Sequence, residues 1–249
     1  MALRTMFIDT SKCIGCKSCQ VACKQWHSLS AESTTFTGSY TNPPAYSGNN
    51  LTLVKFTEFV RPKKGLEDAR LTWLFFKNQC RHCMRPKCQK MCPKGVKRTS
   101  EGLIIFNDNC TLANLRLPTK TPDWTPEEKI QMFKDSCPFK VPAYNTVSGK
   151  FVKCDFCVDR FASSVNPCTK RNGKYTTACE FACPSNAIQT GDAPAMTKII
   201  QNRFKVVRKT NTSACIYKGN YGTTQVVYLL TEAAKSYGLG LGLDAHYWD

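Results

Sequence analysis

Sixteen cysteines give this 249-residue chain its strongest chemical signal, because most of them occur in groups with short, regular spacing. The first two groups are Cys13-x2-Cys16-x2-Cys19-x3-Cys23 and Cys80-x2-Cys83-x4-Cys88-x3-Cys92-Pro93. The others are Cys110 with Cys137-Pro138, Cys154-x2-Cys157 with Cys168 and Cys179-x3-Cys183-Pro184, and the isolated Cys215. A C-x2-C-x2-C-x3-C-P run is the signature of bacterial two-cluster ferredoxins, in which the fourth cysteine ligates the other cluster. The spacing therefore predicts iron–sulfur clusters.

Zinc sites and disulfides are the alternative uses of so many cysteines. Structural zinc sites use two separated C-x2-C pairs, often with histidine, whereas residues 13–23 hold four cysteines and the whole chain has only 3 histidines. Cysteines this close along one loop also have few unstrained disulfide partners. Both alternatives fit the spacing less well than iron–sulfur clusters do.

The charge of the protein raises a second function class, a nucleic-acid-binding module with structural clusters. The formal net charge is +17, and eight basic residues with no acidic residue lie between Lys77 and Arg98. These cations alternate with cysteines whose clusters are anionic, and no aromatic–basic alternation resembles a nucleic-acid module. At about −2 for each oxidised cluster, three clusters bring the charge to roughly +11. The sequence thus favours no nucleic-acid partner.

Targeting and membrane signals are not evident in the sequence. The first residues run directly into the first cysteine group, without the apolar stretch of roughly 7–15 residues that marks a secretory signal. The longest apolar runs, Leu103–Phe106 and Val226–Leu230, are far shorter than the roughly 20 residues that cross a bilayer. We expect no signal peptide and no transmembrane segment, and a location that is periplasmic by co-export with a partner subunit or cytoplasmic.

Local patterns predict an α+β protein of short β-hairpins, helices and long loops. Strands are expected at Arg4–Asp9, Glu101–Phe106 and Gln225–Leu230, and helices at Gln20–Trp26, Thr197–Lys209 and after residue 230. Thr125-Pro-Glu-Glu128 forms a capping box that should begin a helix through about Lys134. Ser30–Asn50 is rich in turn-forming residues and is expected to be a long loop.

The repeated order of Cys-Pro, apolar segment and turn predicts two ferredoxin-like units. One unit combines residues 1–30 with 150–192 and holds two clusters. The other spans residues 77–145 and holds one cluster and a degenerate fourth site. Residues 31–76 are expected to form a partner-facing loop and strands, and residues 193–249 a C-terminal extension of helix and strand.

No catalytic residues and no cofactor-binding residues beyond the cluster ligands are evident. His27 and His82 lie beside cysteines and are expected to be packing or hydrogen-bonding neighbours, and His246 is expected at the surface. Gly238-Leu-Gly-Leu-Gly242 is a poor dinucleotide fingerprint because no strand of a βαβ unit precedes it. The chemistry must therefore lie in a partner protein.

The order of the cysteine groups resembles the four-cluster electron-transfer subunits of molybdenum and tungsten bis-pterin oxidoreductases. Several segments look more specifically like the β subunit of soluble formate dehydrogenases from sulfate-reducing bacteria, and the resemblance runs from Phe7 to about Leu230. The segments are Cys19–Trp26, Asn42–Pro44, Trp73–Phe76, Gln79–Cys83, Lys153–Arg160 and Val226–Leu229.

This resemblance implies an electron-transfer subunit that is not catalytic on its own. It would carry single electrons from a catalytic molybdenum or tungsten bis-pterin α subunit to a c-type cytochrome or another soluble acceptor. The alternative is the same role in another enzyme of the superfamily, such as a sulfur-compound or nitrate reductase. The cluster nearest the catalytic subunit would be the one bound by Cys13, and the exit cluster the one bound by Cys80.

The resemblance also implies three ligand sets for [4Fe-4S] clusters. They are Cys13, Cys16, Cys19 and Cys183 for cluster 1; Cys23, Cys154, Cys157 and Cys179 for cluster 2; and Cys80, Cys83, Cys88 and Cys137 for cluster 3. A fourth cluster would need Cys92, Cys110 and two further cysteines, but the corresponding positions are Ala113 and Arg116. We therefore expect three clusters, with Cys92 and Cys110 as buried thiols or a chance pair; an unusual cluster is the alternative.

Cys168 competes with Cys179 for a place in cluster 2. The number of residues between Cys157 and Cys168 is close to the spacing that is usual in the family. Cys179, however, is followed by the x3-Cys-Pro continuation that the swapped fourth ligand requires. We therefore assign Cys179 and treat residues 166–177 as an insertion, with no predicted role for Cys168 or Cys215.

This assignment predicts that Cys168→Ser leaves the cluster content of the purified protein unchanged. Iron and sulfide analysis checks it, with Cys179→Ser as the matched control that should lose both. Loss of iron in the Cys168 variant alone would contradict the assignment.

Overall fold

The computed structural model describes residues 3–61, 70–118, 124–162, 170–171, 174–219 and 223–239. Within these ranges short helices alternate with small antiparallel and mixed sheets, which confirms the predicted α+β class. Cys168, His246 and most of the glycine-rich segment of residues 238–242 lie outside the described residues.

The structure has the predicted strands and helices with further elements between them, but after residue 230 the described part has a short 3₁₀ turn in place of the expected helix. The strands are β1 Arg4–Asp9, β2 Leu53–Arg61, β3 Arg70–Asn78, β4 Val96–Arg98, β5 Ile104–Phe106, β6 Ala143–Asn145, β7 Lys150–Val152, β8 Lys170–Arg171, β9 Lys174–Tyr175, β10 Ile188–Asp192, β11 Cys215–Tyr217 and β12 Val226–Leu230. The helices are α1 Ser18–Trp26, α2 Lys87–Met91, α3 Pro126–Ser136, α4 Val158–Ala162, α5 Ala178–Phe181 and α6 Ala193–Thr210, with 3₁₀ turns at Leu112–Asn114 and Ala234–Tyr237.

A four-stranded sheet joins segments from the two ends of the sequence in the order β10-β1-β12-β11. Strand β1 is antiparallel to β10 and parallel to β12. Successive side chains of a strand point to opposite faces. Ile8 therefore packs in the core that contains Cys19 and Cys183, whereas Phe7 packs with Ile200 of α6 on the other face. One face of the sheet thus serves the cysteines and the other is covered by α6.

The C-terminal extension contributes half of this sheet, which the sequence patterns did not predict. They predicted β12 and α6 as elements, but a parallel pairing of residues 6–9 with residues 226–229 has no local signal. Helix α6 is also fixed to β1 because Arg203 Nε donates to the fully buried Asp9 carboxylate at 2.7 Å.

Strands β2 and β3 form a long antiparallel hairpin beside the first cysteine group. Their pairing runs over nine residue pairs, from Leu53–Asn78 to Arg61–Arg70. Residues 30–46 contain no helix or strand, as expected. This loop is fixed to the hairpin by the Phe56 N–H, which donates to Thr41 Oγ1 at 2.9 Å.

The middle of the sequence has a separate small core beneath α3. Thr125 and Glu128 form the predicted capping box, and the helix begins at Pro126 as expected. Its fully buried Phe133 packs against Phe151 with ring centroids 4.4 Å apart. Helix α3 therefore covers the β4–β5 and β6–β7 hairpins, and the second hairpin crosses the expected boundary between residues 145 and 150.

A buried hydrogen-bond network joins β12 to the end of β3 and the loop that follows it. Arg81 Nη1 donates to the hydroxyl of Tyr228 at 2.6 Å, and that hydroxyl donates to the Lys77 carbonyl at 3.1 Å. The Tyr228 ring also stacks on Phe76 at 4.6 Å. Because all these groups are buried, water cannot replace a lost partner at low cost.

Tyr228→Phe should therefore destabilise the protein by about 2 kcal/mol, since one N–H of the buried guanidinium loses its acceptor while the other still donates to the Gln79 carbonyl. Anaerobic thermal unfolding measures the change. Tyr40→Phe, at a side chain that is 62% exposed, is the control and should change the unfolding temperature little. Equal effects of the two substitutions would contradict a role for the buried network.

Candidate metal centres

The loops that carry the cysteines turn through the left-handed region of backbone conformation. Among the residues with positive φ are Gly15, Lys17, His82, Lys140, Phe156, Cys157 and Asn186. Such turns let neighbouring cysteines of one loop point to the same side. Gly15 has φ +67°, and a Cβ atom there would lie 2.8 Å from Phe75 Cδ1, so the position requires glycine.

The first cysteine set lines a small cavity between α1, β1 and the loop before β10. Its four thiols are those of Cys13, Cys16, Cys19 and Cys183. The set combines three cysteines from the first group with one that is distant in sequence, as the swapped-ligand pattern implies. Cys16 is the exposed member, so this cavity reaches the protein surface.

The second cysteine set lines a small cavity deeper in the protein. Its four thiols are those of Cys23, Cys154, Cys157 and Cys179, all of them buried. Thr177 caps α5 by accepting from the Glu180 N–H, and this cap fixes the first turn that contains Cys179. The structure therefore brings Cys179 to the second set.

The third cysteine set consists of Cys80, Cys83, Cys88 and Cys137. Burial, followed by the charges of the other three members, raises the pKa of the Cys83 thiol to about 12. Burial and the charge of Cys80 likewise raise the pKa of the Cys88 thiol to about 12. Cys83 and Cys88 would be costly as bare thiolates in this environment, whereas a bound metal cluster stabilises the deprotonated form. The donor set therefore fits a cluster.

The second set lies next to both the first set and the third set, and we call this sequence of neighbouring sets the row. Burial raises the pKa of Cys19 and of Cys154 to about 12. Among the cysteines, the largest contribution to the pKa of Cys19 comes from Cys179 of the second set. The largest for Cys154 comes from Cys80 of the third set. Cys154 also packs in one small core with Cys80 and Val141.

Lys77 lies between the first and second sets and was not singled out from the sequence. This lysine at the end of β3 is 2% exposed and lines both cavities. Its Nζ donates to Thr52 Oγ1 at 3.1 Å. Burial opposes its charge, but the negative charges of Cys179 and Cys19 outweigh burial and raise the pKa of Lys77 above its usual value. The lysine is therefore a buried cation beside two anionic sites.

The two histidines near the cysteine sets have hydrogen-bonding partners of their own. His27 Nε2 lies 3.3 Å from Asp155 Oδ1 and 4.0 Å from Cys157 Sγ. His82 is fully buried, and its Nδ1 accepts a hydrogen bond from the Ile104 N–H at 3.1 Å. These contacts agree with the expected role of both residues as neighbours of the ligands.

Cys92 and Cys110 lie together in the core beneath α3, against which Cys88 of the third set also packs. Both are fully buried, and burial followed by the neighbouring Cys92 raises the pKa of the Cys110 thiol. Ala113 lies on a 3₁₀ turn, and the Arg116 N–H donates to the Met91 carbonyl at 2.7 Å. Neither of these residues adds a thiol. The Cys92–Cys110 pair therefore offers two cysteine ligands, whereas a [4Fe-4S] cluster needs four.

Cys215 lies on β11, outside the three sets. It is buried, and its Sγ donates to the Glu232 carbonyl at 3.6 Å. The Cys215 thiol therefore has a hydrogen-bond acceptor within the C-terminal extension.

Comparison with known proteins agrees with this arrangement. Two sequence-family profiles, each described as a 4Fe-4S dicluster domain, match residues 71–193 and 12–96. Formate dehydrogenase subunit beta of Megalodesulfovibrio gigas is 32% identical over 93% of this chain and 95% of the relative. This protein belongs to the family of formate dehydrogenase β, or iron–sulfur, subunits.

Further relatives show how wide this similarity is. Formate dehydrogenase 2 subunit beta (cytochrome c-553) of Nitratidesulfovibrio vulgaris is 30% identical over 94% of the present sequence and 96% of the relative. A subunit of the anaerobic dimethyl sulfoxide reductase of Escherichia coli is 25% identical over 77% of the present sequence and 75% of the relative. The protein is thus an electron-transfer subunit of an oxidoreductase complex and has 4Fe-4S dicluster domains. Within the described residues, no helix has both the length and the apolar character needed to span a bilayer.

Lys77→Met should lower the reduction potentials of the two clusters that it adjoins, because the electron added on reduction loses a neighbouring cation. A unit charge at about 8 Å with an effective dielectric constant of about 20 contributes about 2 kcal/mol. This corresponds to roughly 90 mV for one electron. Redox titration followed by electron paramagnetic resonance measures the shift.

Two further variants control for the loss of packing. Lys77→Arg keeps the positive charge, so the reduction potentials of both clusters should stay close to those of the parent protein. Lys55→Met removes a partly buried lysine from the adjacent strand β2, and it should leave both potentials within experimental error. Equal shifts in the Lys55 and Lys77 variants would contradict the assignment.

Proposed function

We propose that this β subunit carries single electrons from a catalytic molybdenum or tungsten bis-pterin subunit, which oxidises formate, to an external acceptor. The row of three cysteine sets is the observation that carries this proposal. [4Fe-4S] clusters with four cysteine ligands accept and release one electron at a time at low potential. The residues of this chain hold the clusters, separate them from water and set the charge around them.

The ligands in this proposal are the three sets that line the row. Cys13, Cys16, Cys19 and Cys183 bind cluster 1; Cys23, Cys154, Cys157 and Cys179 bind cluster 2; and Cys80, Cys83, Cys88 and Cys137 bind cluster 3. The first two sets are supported by the two cavities that they line. The third is supported by the packing of Cys137 against the core of Cys80 and by the charges of its members, which raise the pKa of the Cys83 and Cys88 thiols. Three clusters, rather than four, follow from the alanine and arginine at positions 113 and 116.

The catalytic subunit is proposed to contact the end of the row formed by the first set. Next to the exposed Cys16, the side chain of Ile14 is 60% exposed. Tyr40, Phe56 and Trp73 form a group of aromatic contacts beside them, with the Tyr40 and Trp73 rings 5.5 Å apart. Permanent interfaces are enriched in aromatic and apolar groups. We call this surface, formed by Ile14, Tyr40, Phe56, Trp73 and Phe75, the aromatic end.

The opposite end of the row, at the third set, is the proposed exit for electrons. The acceptor is a c-type cytochrome or another soluble carrier, and the name of one relative includes cytochrome c-553. The complex is either exported to the periplasm together with a signal-bearing partner subunit or retained with that subunit in the cytoplasm. In this proposal the β subunit supplies no catalytic residue.

A sulfur-compound reductase is the second candidate, because the relative from Escherichia coli is a dimethyl sulfoxide reductase subunit. The three cysteine sets fit both functions, so the identity of the catalytic subunit distinguishes the two candidates. The relatives of higher identity and coverage are formate dehydrogenase subunits, which favours formate.

The test is to isolate this protein with its large subunit under anaerobic conditions and add formate. The proposal predicts molybdenum or tungsten in the large subunit, reduction of a viologen dye by formate, and cluster signals in electron paramagnetic resonance that develop with formate alone. Signals that develop with dithionite but not with formate, together with dimethyl sulfoxide reduction by reduced dye, would favour the second candidate.

A further inference from the structure

The surface around the third cysteine set is strongly basic. Six cations within Arg85–Arg98 are exposed to solvent, and two of the ligand cysteines in this region, Cys83 and Cys88, are only partly buried. The six are Arg85, Lys87, Lys90, Lys94, Lys97 and Arg98, and we call this surface the basic face.

The basic face is compact because its segment folds back on itself. Arg98 at the end of β4 donates through Nη2 to the Cys83 carbonyl at 3.2 Å and also to the Met84 carbonyl. Gln89 of α2 donates to the Val96 carbonyl of β4 at 3.4 Å. These hydrogen bonds hold Arg85 and Arg98, the first and last cations of the segment, near the third set.

The charges of the basic face are not neutralised by neighbouring carboxylates. In the ranges that the structure describes, no Asp or Glu oxygen lies within ion-pairing distance of these six cations. The nearby Lys140 has such a partner in Asp135. An oxidised cluster in the third set would contribute about −2, which leaves this end of the row positively charged.

The two ends of the row therefore differ in the kind of partner that each fits. The aromatic end has large apolar side chains, which suit a permanent contact. Unpaired surface charge of one sign contributes little to the stability of a permanent interface. It does raise the rate of encounter with an oppositely charged partner. This electrostatic steering matters most for a carrier that must bind, accept an electron and dissociate again.

We propose that the basic face is the docking surface for a small acidic electron-carrier protein. The inference rests on the proposed function, and it narrows the acceptor to carriers whose docking side is negatively charged. A basic c-type cytochrome would be repelled there. Each encounter transfers one electron to one oxidised carrier, so the electron pair released by one formate reduces two carriers.

The test uses the complete complex with two named carriers, an acidic two-cluster bacterial ferredoxin and a basic c-type cytochrome. At low ionic strength the parent complex should reduce the ferredoxin with a second-order rate constant that falls as salt is added. Arg85→Glu/Lys87→Glu/Lys90→Glu should lower that constant by about tenfold or more and raise the constant for the cytochrome.

A charge-matched control is available on the far side of the central sheet. Lys198, Lys205 and Lys209 of α6 are exposed, and their replacement by Glu changes the net charge by the same amount. This control should leave the ferredoxin rate within about twofold of the parent rate at each salt concentration. Iron content and formate-dependent reduction of a viologen dye report separately on the clusters and on the proposed function.

Three results would overturn the inference while leaving the proposed function intact. The first is a ferredoxin rate independent of salt and of the triple substitution on the basic face. The second is an equal loss of rate in the α6 control. The third is binding of the parent complex to anionic phospholipid vesicles or to DNA that the triple substitution abolishes without changing the ferredoxin rate. Absence of formate-dependent dye reduction in the parent complex would instead contradict the proposed function.

Discussion

Convergence of four thiols on each cluster site is the constraint on which the rest of this structure depends. The first and second sets combine residues 13–23 with residues 154–183, so segments far apart in sequence must meet. The sheet that joins β1 to β10 and β12 brings them together, and α6 covers its other face. Lys77 then supplies a cation between two sites that become anionic when they bind clusters.

The same row of sites explains why the surface differs so much from one end to the other. An electron carrier needs one permanent neighbour and one transient neighbour, and the two contacts obey different physics. Apolar burial stabilises the first, whereas long-range charge accelerates the second. In the proposals above, the aromatic end has the first role and the basic face, with six of the 35 basic residues, has the second.

The parts of this fold that local patterns specify could be predicted from sequence. Cysteine spacing predicted the cluster chemistry, alternation predicted β1 at the residues where the structure has it, and the capping box at Thr125 predicted the start of α3. The parallel pairing of β1 with β12 and the burial of Lys77 could not be predicted, since both depend on contacts between residues distant in sequence. Residues 166–177, assigned to an insertion, include the short hairpin β8–β9 and the cap of α5.

The central claim is that three cysteine sets hold clusters and that the Cys92–Cys110 pair does not. Iron analysis and spin quantification of the reduced complex test it most directly, with Cys92→Ala/Cys110→Ala compared to the parent and to Cys88→Ala. The account predicts unchanged iron in the double variant and a loss of about four iron atoms in the Cys88 variant. A loss of about four iron atoms from the double variant would contradict it.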